Sequence, residues 1–340
     1  MNKKIVILTS LVGYGTYVPA ICLYNDLIKD NYDVDFLVYE DFFNPTQKKA
    51  LEDFQTQFHG NFRYAKMSMN VFGLFNNGKI NASEIHKIWT KSNTNVFLIF
   101  SGRWQQIVLD YKCANKIIEE FRVDCVDTPS WKGVNSIHTK HWLISGVNRP
   151  VKVRIRNNKP TRKKDITSGL IHGGGWGIGN IVEVLSADIL KRYNVNVILQ
   201  ESEQLNAFSN ARLFYNYKKA YIDSKGEYCV PKVKEFSENQ WKTIDTQELL
   251  KDIDFIISKP GGGTCLDCLN FGIPVIFLEP VALHEKENAS FFVENGLGIY
   301  FEDWVNDTDP SERLLRLNNN ICDFMSETQQ YTKYIKENIL

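Results

Sequence analysis

The 340-residue sequence has no run approaching the roughly 18 apolar residues that a membrane-spanning helix needs, because charges or glycines interrupt its longest apolar stretches. The expectation is a soluble chain with at most peripheral membrane contact. It also lacks an excess of either charge. With 40 Lys+Arg against 40 Asp+Glu, no global basic field exists to attract nucleic acid or an anionic membrane. Nucleic acid is therefore not an expected partner, and binding must arise at local sites. The opening MNKKIVILTSL places two lysines before an apolar stretch, but Gly13 and Gly15 break it and no cleavage region follows. It reads as a first strand and not as a signal peptide.

Cysteine is sparse and unpatterned. The residues Cys22, Cys113, Cys125, Cys229, Cys265, Cys268 and Cys322 are odd in number and scattered through apolar segments, which suits reduced thiols in a cytoplasmic protein. Cys265-Leu266-Asp267-Cys268 has the spacing of half a zinc site or a redox pair, yet no second CxxC or closely spaced histidine pair accompanies it. No metal site and no cofactor is expected.

The length and the 43% hydrophobic content allow two domains with a core each. Lys4–Thr9 is a β-branched run, followed by a glycine-containing loop and then by Ala20, Leu23, Tyr24, Leu27 and Ile28 on one helical face, with Pro19 near the helix start. Val34–Val38 is the next strand, so a parallel βαβ unit opens the chain. Strands at Val96–Phe100 and Val123–Val126 then flank a helical stretch from about Trp104 to Phe121. From Val147 to Lys164 the sequence turns basic and turn-rich, which places a boundary there, and a charge run of this kind reads as a solvated linker.

Alternation restarts with a strand at Gly169–Ile171, a helix about Asn180–Arg192 and a strand at Val195–Leu199. Asn206–Trp241 has no clean periodicity. Order returns with a helix at Thr246–Lys251, a strand at Ile253–Ser258, a helix at Thr264–Phe271 stopped by Gly272, a strand at Ile273–Leu278, and a helix at Glu287–Asn295 stopped by Gly296. The fold class is α/β, with two Rossmann-like doubly wound domains, residues 1–150 and 151–340, facing a cleft.

The run Ser258–Ala289, SKPGGGTCLDCLNFGIPVIFLEPVALHEKENA, carries most of the chemistry. A strand ends at Ser258, and Pro260-Gly261-Gly262-Gly263-Thr264 turns the chain into a helix at the carboxyl edge of a sheet, where ligands of open α/β sheets bind. Glycines remove side chains that would block a phosphate, and a helix start offers free N–H groups and a positive dipole end. The same glycines also suit a tight turn. Asp267 is placed to close a capping-box-like arrangement or to accept from ribose hydroxyls. His284, Glu285 and Asn288 follow the next strand, as sugar contacts or as ordinary residues of a helix start.

This ordered pattern resembles the donor-binding signature of GT-B glycosyltransferases, above all the MurG-type N-acetylglucosaminyltransferases and related UDP-sugar enzymes. The resemblance implies that Gly261, Gly262, Gly263 and Thr264 cradle a donor diphosphate, that Asp267, in place of the family's usual glutamate, holds the ribose, and that His284, Glu285 and Asn288 face the sugar. Two further segments match: His172-Gly173-Gly174-Gly175-Trp176-Gly177, with Gly174 and Gly175 near the diphosphate, and Gly13-Tyr14-Gly15-Thr16-Tyr17-Val18-Pro19-Ala20, with Gly15 and Thr16 on the donor.

In several of those enzymes a histidine of the N-terminal loop is the general base, and here its place is taken by Thr16. A hydroxyl cannot serve as a base near neutral pH, so another group must. Asp41, His59, His86, Asp127, His138 and His141 are the candidates in the N-terminal half, and Asp127, between a strand and Thr128-Pro129, is favoured. The resemblance implies a metal-independent, inverting transfer of a sugar from a nucleotide diphosphate donor, UDP first, to an acceptor hydroxyl or amine. The acceptor is left open as a small molecule, a peptide or a lipid-linked group. Trp89, Trp104, Trp131 and Trp142 are either an acceptor platform or core, and Val71-Phe72-Gly73-Leu74-Phe75 is either a lipid contact or core. A nucleotide-sugar hydrolase or epimerase of the same fold, or a non-catalytic donor-binding subunit, is the alternative that the missing histidine raises.

Overall fold

The computed structural model describes residues 3–59, 80–131, 139–144, 151–156, 159–175, 177, 181–200, 211–217, 219–237 and 240–339. Its β-branched runs form parallel strands. In the first unit these are β1 (Lys4–Thr9), β2 (Val34–Val38), β3 (Thr94–Ile99), β4 (Ile117–Arg122) and β5 (Thr139–Trp142), in the order β2-β1-β3-β4-β5. All four pairings are parallel. Ile5, Val6, Ile7 and Leu8 are fully buried, as a parallel strand covered on both faces requires.

Helices α1 (Tyr14–Lys29), α2 (Pro45–His59), α3 (Ala82–Lys91) and α4 (Gln105–Asp110) connect these strands. Helix α1 begins earlier than its pattern suggests, so Pro19 lies inside it and not at its start. Tyr17, Ala20, Ile21, Leu23 and Leu27 form its buried side, while Ile28, expected among them, is exposed.

The helix expected through Phe121 is absent. Helix α4 stops at Asp110, Asn115 takes a left-handed φ of 51°, and the chain enters β4. The strand escapes a hydrophobic reading because its buried side chains include Glu119, Glu120 and Arg122. Tertiary partners stabilise them: Gln105 Nε2 and Arg122 Nη2 donate to Glu120 at 2.6 and 2.8 Å, and Glu119 pairs with His141 of β5. Trp89 and Trp104 are fully buried and Trp131 nearly so, packed with Phe97 and Tyr111, so these three rings are core and not an acceptor platform. Trp142 is half-buried, and the segment Val71–Phe75 lies outside the described residues.

The second unit holds β7 (Ser168–His172), β8 (Asn194–Gln200), β9 (Ala211–Asn216), β10 (Lys232–Ser237), β11 (Gln240–Asp245), β12 (Phe255–Ser258), β13 (Val275–Phe277) and β14 (Gly298–Tyr300). Their order is β11-β10-β9-β8-β7-β12-β13-β14. The unpatterned piece Asn206–Trp241 supplies β9, β10 and the start of β11, with β10 and β11 added antiparallel at one edge. Helices α5 (Ile181–Leu185), α6 (Thr246–Lys251), α7 (Gly262–Phe271), α8 (Leu283–Glu294), α9 (Phe301–Val305) and α10 (Pro310–Phe324) complete the unit. Ile171, Val197, Phe255, Ile257, Ile276, Trp304 and Leu314 are central to its core. Gly169 is required there, because a Cβ would stand 2.3 Å from Phe255 Cζ.

The chain divides into Met1–Asn157 with Thr328–Leu340, and Asn158–Glu327. The last residues therefore return to the first unit, together with 151–157, and do not remain with 158–327. There β15 (Gln329–Gln330) pairs with β6 (Val153–Arg154), and helix α11 (Tyr331–Asn338) buries Tyr331 against Phe121 at a ring separation of 4.8 Å. The basic stretch is consequently not a solvated linker throughout. Arg154 is buried and donates to the Thr328 carbonyl, and Lys163 pairs with Asp254 at 2.5 Å.

Strand order positions the loops that carry the glycine-rich segments. In the second sheet the succession runs outward from β7 toward β8 on one side and from β12 toward β13 on the other. Loops leaving the carboxyl ends of β7 and β12 therefore diverge, which is where open α/β sheets bind ligands. In the first sheet the corresponding reversal lies between β1 and β3.

Candidate active site

Both glycine-rich segments of the second unit leave the sheet at that reversal. After β7, His172 Nδ1 accepts the Gly174 N–H at 2.9 Å, and Gly174 adopts a left-handed φ of 71°. This closes the turn at Gly173-Gly174-Gly175. Loss of hydration, with the Lys259 cation as a second cause, pushes the His172 pKa down to about 4. The ring is therefore neutral at pH 7. With Nδ1 accepting, its proton lies on Nε2, which makes the ring a hydrogen-bond donor. Trp176 of the same segment lies outside the described residues.

After β12 the chain passes Lys259 and Pro260 and enters α7. Gly261 is the N-cap, with φ −68° and ψ 144°, and has no side chain with which to cap the helix start. The capping-box expectation for Asp267 is thus not realised, and Asp267, half-buried, lies beyond the first turn. The N–H groups of Gly262, Gly263 and Thr264 at this uncapped end are oriented as donors, and the helix dipole adds positive potential. Gly272 ends the helix in the left-handed region at φ 71°.

Lys259 joins the two loops. A Cβ on Gly174 would stand 3.7 Å from Lys259 Cε, and one on Gly261 would stand 3.4 Å from its Nζ. The ammonium pairs with Glu285, whose other oxygen accepts the Val281 N–H at 2.8 Å. Burial opposes the Glu285 charge, but Lys259, the Val281 N–H and His284 outweigh it and hold its pKa below the ordinary carboxylate value. Asn288, fully buried, donates to the Pro260 carbonyl at 3.1 Å. Glu285 and Asn288 therefore brace the glycine turn from behind, while His284 is half-buried beside the exposed Leu283.

Lys259 is the residue that sequence reasoning passed over. Its signal was available: a cation between a strand end and PGGG stands at the edge where anionic ligands bind. Its counter-ion is 26 positions away and could not be inferred.

In the first unit the loop after β1 is fixed by a second buried carboxylate, also unforeseen. Glu40, just past β2, accepts from Ser10 Oγ at 2.6 Å and from the Leu11 N–H at 2.8 Å, and pairs with Arg103 at 3.2 Å. Burial raises the Glu40 pKa despite these partners. Gly15 and Thr16 lie in the first turn of α1, where Thr16 Oγ1 donates to the Ser10 carbonyl at 3.1 Å. Among the base candidates, Asp127 keeps 43% of its side chain exposed while Oδ1 accepts from Arg122 Nε at 2.6 Å. His141 is buried against Glu119, His86 Nε2 bonds the Ile107 carbonyl at 2.9 Å, and Asp41 is exposed. His138 and the side chain of His59 lie outside the described residues.

The architecture is that of the GT-B glycosyltransferases, with two Rossmann-like domains. The chain aligns with the Streptomyces sp. SF2575 glycosyltransferase SsfS6, complexed with thymidine diphosphate, at a TM-score of 0.59 and 10% identity, covering 98% of this chain and 99% of that one. Spinosyn rhamnosyltransferase SpnG, also complexed with thymidine diphosphate, gives 0.58 and 12% over 98% and 99% of the two chains.

Residues 190–338 match the glycosyltransferase family 28 C-terminal domain. The processive diacylglycerol beta-glucosyltransferase of Bacillus subtilis (strain 168) is 46% identical over 52 residues, 15% of this chain and 14% of that protein. The protein of the same name from Staphylococcus carnosus (strain TM300) is 23% identical over 225 residues, 63% of this chain and 46% of that protein. The chain thus spans less than half the length of these curated relatives. Among its described residues no helix is long and apolar enough to cross a membrane.

Proposed function

We propose that the chain is a glycosyltransferase that moves a sugar from a nucleoside diphosphate donor, UDP-linked first, to an acceptor hydroxyl or amine. One arrangement carries this reading. The uncapped start of α7, the Gly173–Gly175 turn, the neutral His172 and the Lys259 cation converge at the reversal point of one sheet. That is a set of donors for a diphosphate, and it meets the charge that grows on a departing nucleotide without assigning a part to a metal.

In this reaction the bond between the anomeric carbon and the diphosphate oxygen breaks, and its electron pair leaves with the nucleotide. The acceptor oxygen or nitrogen forms the new bond from the opposite face, which inverts the anomeric centre. Its proton passes to a carboxylate, for which Asp127 is the proposed base. Gly261, Gly262, Gly263 and Thr264, with Gly174 and Gly175, cradle the diphosphate, and Asp267 is the proposed ribose contact. Glu285 and Asn288 support the cradle by bracing its turn, which leaves His284 as the proposed sugar contact of the three. The relatives' name makes a glucosyl donor and a diacylglycerol acceptor the first pair to assay.

The test is calorimetric titration of the full chain with UDP, dTDP and GDP, followed by turnover of their sugar conjugates. Transfer consumes donor only when acceptor is present, hydrolysis consumes it with water alone, and a binding subunit consumes none. Failure to bind any of the three nucleotides overturns the reading.

A further inference from the structure

We infer that Lys259 is the charged contact of the donor diphosphate, and that the buried Glu285 is its counter-ion only while the site is empty, so that donor and carboxylate compete for one ammonium. The inference rests on the function proposed above and names a residue that the glycine signature does not contain.

The Lys259 side chain is 13% exposed and lies against both glycine loops, close to the positions that a Cβ on Gly174 or Gly261 would occupy. A Cβ at Gly261 would touch the ammonium and one at Gly174 the methylene beside it, so the two glycines leave the end of this side chain less covered. An ammonium carries several donors. Among the described residues Glu285 is the one acceptor it meets, so it retains donors for a further anion. Glu285 cannot follow Lys259 outward, because its second oxygen is held by the Val281 N–H and the residue is 2% exposed. A diphosphate at the start of α7 would therefore draw the flexible lysine while the carboxylate stays in place. A purely structural lysine would behave differently, serving only to neutralise Glu285 and steady the turn between β13 and α8.

Four variants of the full chain, Lys259→Met, Lys259→Arg, Glu285→Gln and the double variant Lys259→Met/Glu285→Gln, separate these roles by UDP titration beside circular dichroism and thermal unfolding. Loss of one charge-assisted contact weakens UDP binding by about tenfold to a hundredfold in Lys259→Met, and Lys259→Arg recovers part of it. Glu285→Gln keeps an acceptor for the Val281 N–H but removes the competing charge, so its UDP affinity rises by about twofold or more. The double variant leaves no unpaired buried charge, so it folds even where Lys259→Met does not, and its UDP binding stays weak.

Opposite signs for Lys259→Met and Glu285→Gln support the inference. It is overturned if both variants weaken binding alike, or if the folded double variant binds UDP as the parent does. A parent protein that binds no nucleoside diphosphate overturns the proposed function and this inference together, whereas a UDP-binding parent with an unaffected Lys259→Met variant overturns the inference alone.

Discussion

Replacing Gly261 by alanine separates the binding role proposed for the glycine cradle from its part in the fold. The backbone there is extended, at φ −68° and ψ 144°, so alanine adopts it without left-handed strain. The added Cβ meets Lys259 Nζ at 3.4 Å and Glu285 Oε1 at 3.7 Å, and the nearer atom is the far end of a long side chain. Alanine is a poorer N-cap than glycine, so the folded state loses about 0.5–1 kcal/mol and Tm falls by roughly 1–4 °C.

Donor binding is expected to respond more strongly, because the methyl enters the space between the ammonium and the helix start that the proposed function gives to a phosphate. At about 1.4 kcal/mol per tenfold, even one weakened charge-assisted hydrogen bond reduces UDP affinity by about tenfold or more. Thermal unfolding and calorimetric titration of the same preparation provide both numbers. A folded Gly261→Ala variant with parental UDP affinity would falsify the cradle assignment.

Three other outcomes are expected. The unfolded chain takes up the His172 proton near pH 6.5 and the folded protein only near about 4, so the unfolded state binds more protons between these values. Stability accordingly falls as pH drops through that window, by at most about 3 kcal/mol, and comparing urea unfolding of the parent with His172→Gln at pH 7 and pH 5 checks it; equal losses in both proteins would remove His172 as the cause. Asp127→Asn should leave UDP affinity intact while transfer slows by at least ~10²-fold, and near-parental turnover removes Asp127 from the mechanism. Gly169→Ala places a methyl 2.3 Å from Phe255 Cζ inside the second core and should cost about 1–3 kcal/mol by urea unfolding, with an unchanged midpoint counting against this packing.

Local patterns carried the architecture and the place of the glycine cradle. Runs such as Ile5–Leu8 and Phe255–Ile257 are apolar throughout because parallel strands are covered on both faces, and Gly272 and Gly296 end helices because their φ values, 71° and 64°, suit glycine. These are short-range properties, visible along the chain.

Only the tertiary structure decided which charges meet. Lys259 and Glu285 are 26 residues apart, Ser10 and Glu40 30 apart, and Arg154 reaches a carbonyl 174 positions away. Strand β4 was misread for the same reason: Glu119, Glu120 and Arg122 are tolerable inside a protein only when folding brings them partners, and those partners, His141 and Gln105, lie on other elements. A residue's type is written in the sequence, whereas the energy of burying its charge depends on neighbours that the fold alone supplies.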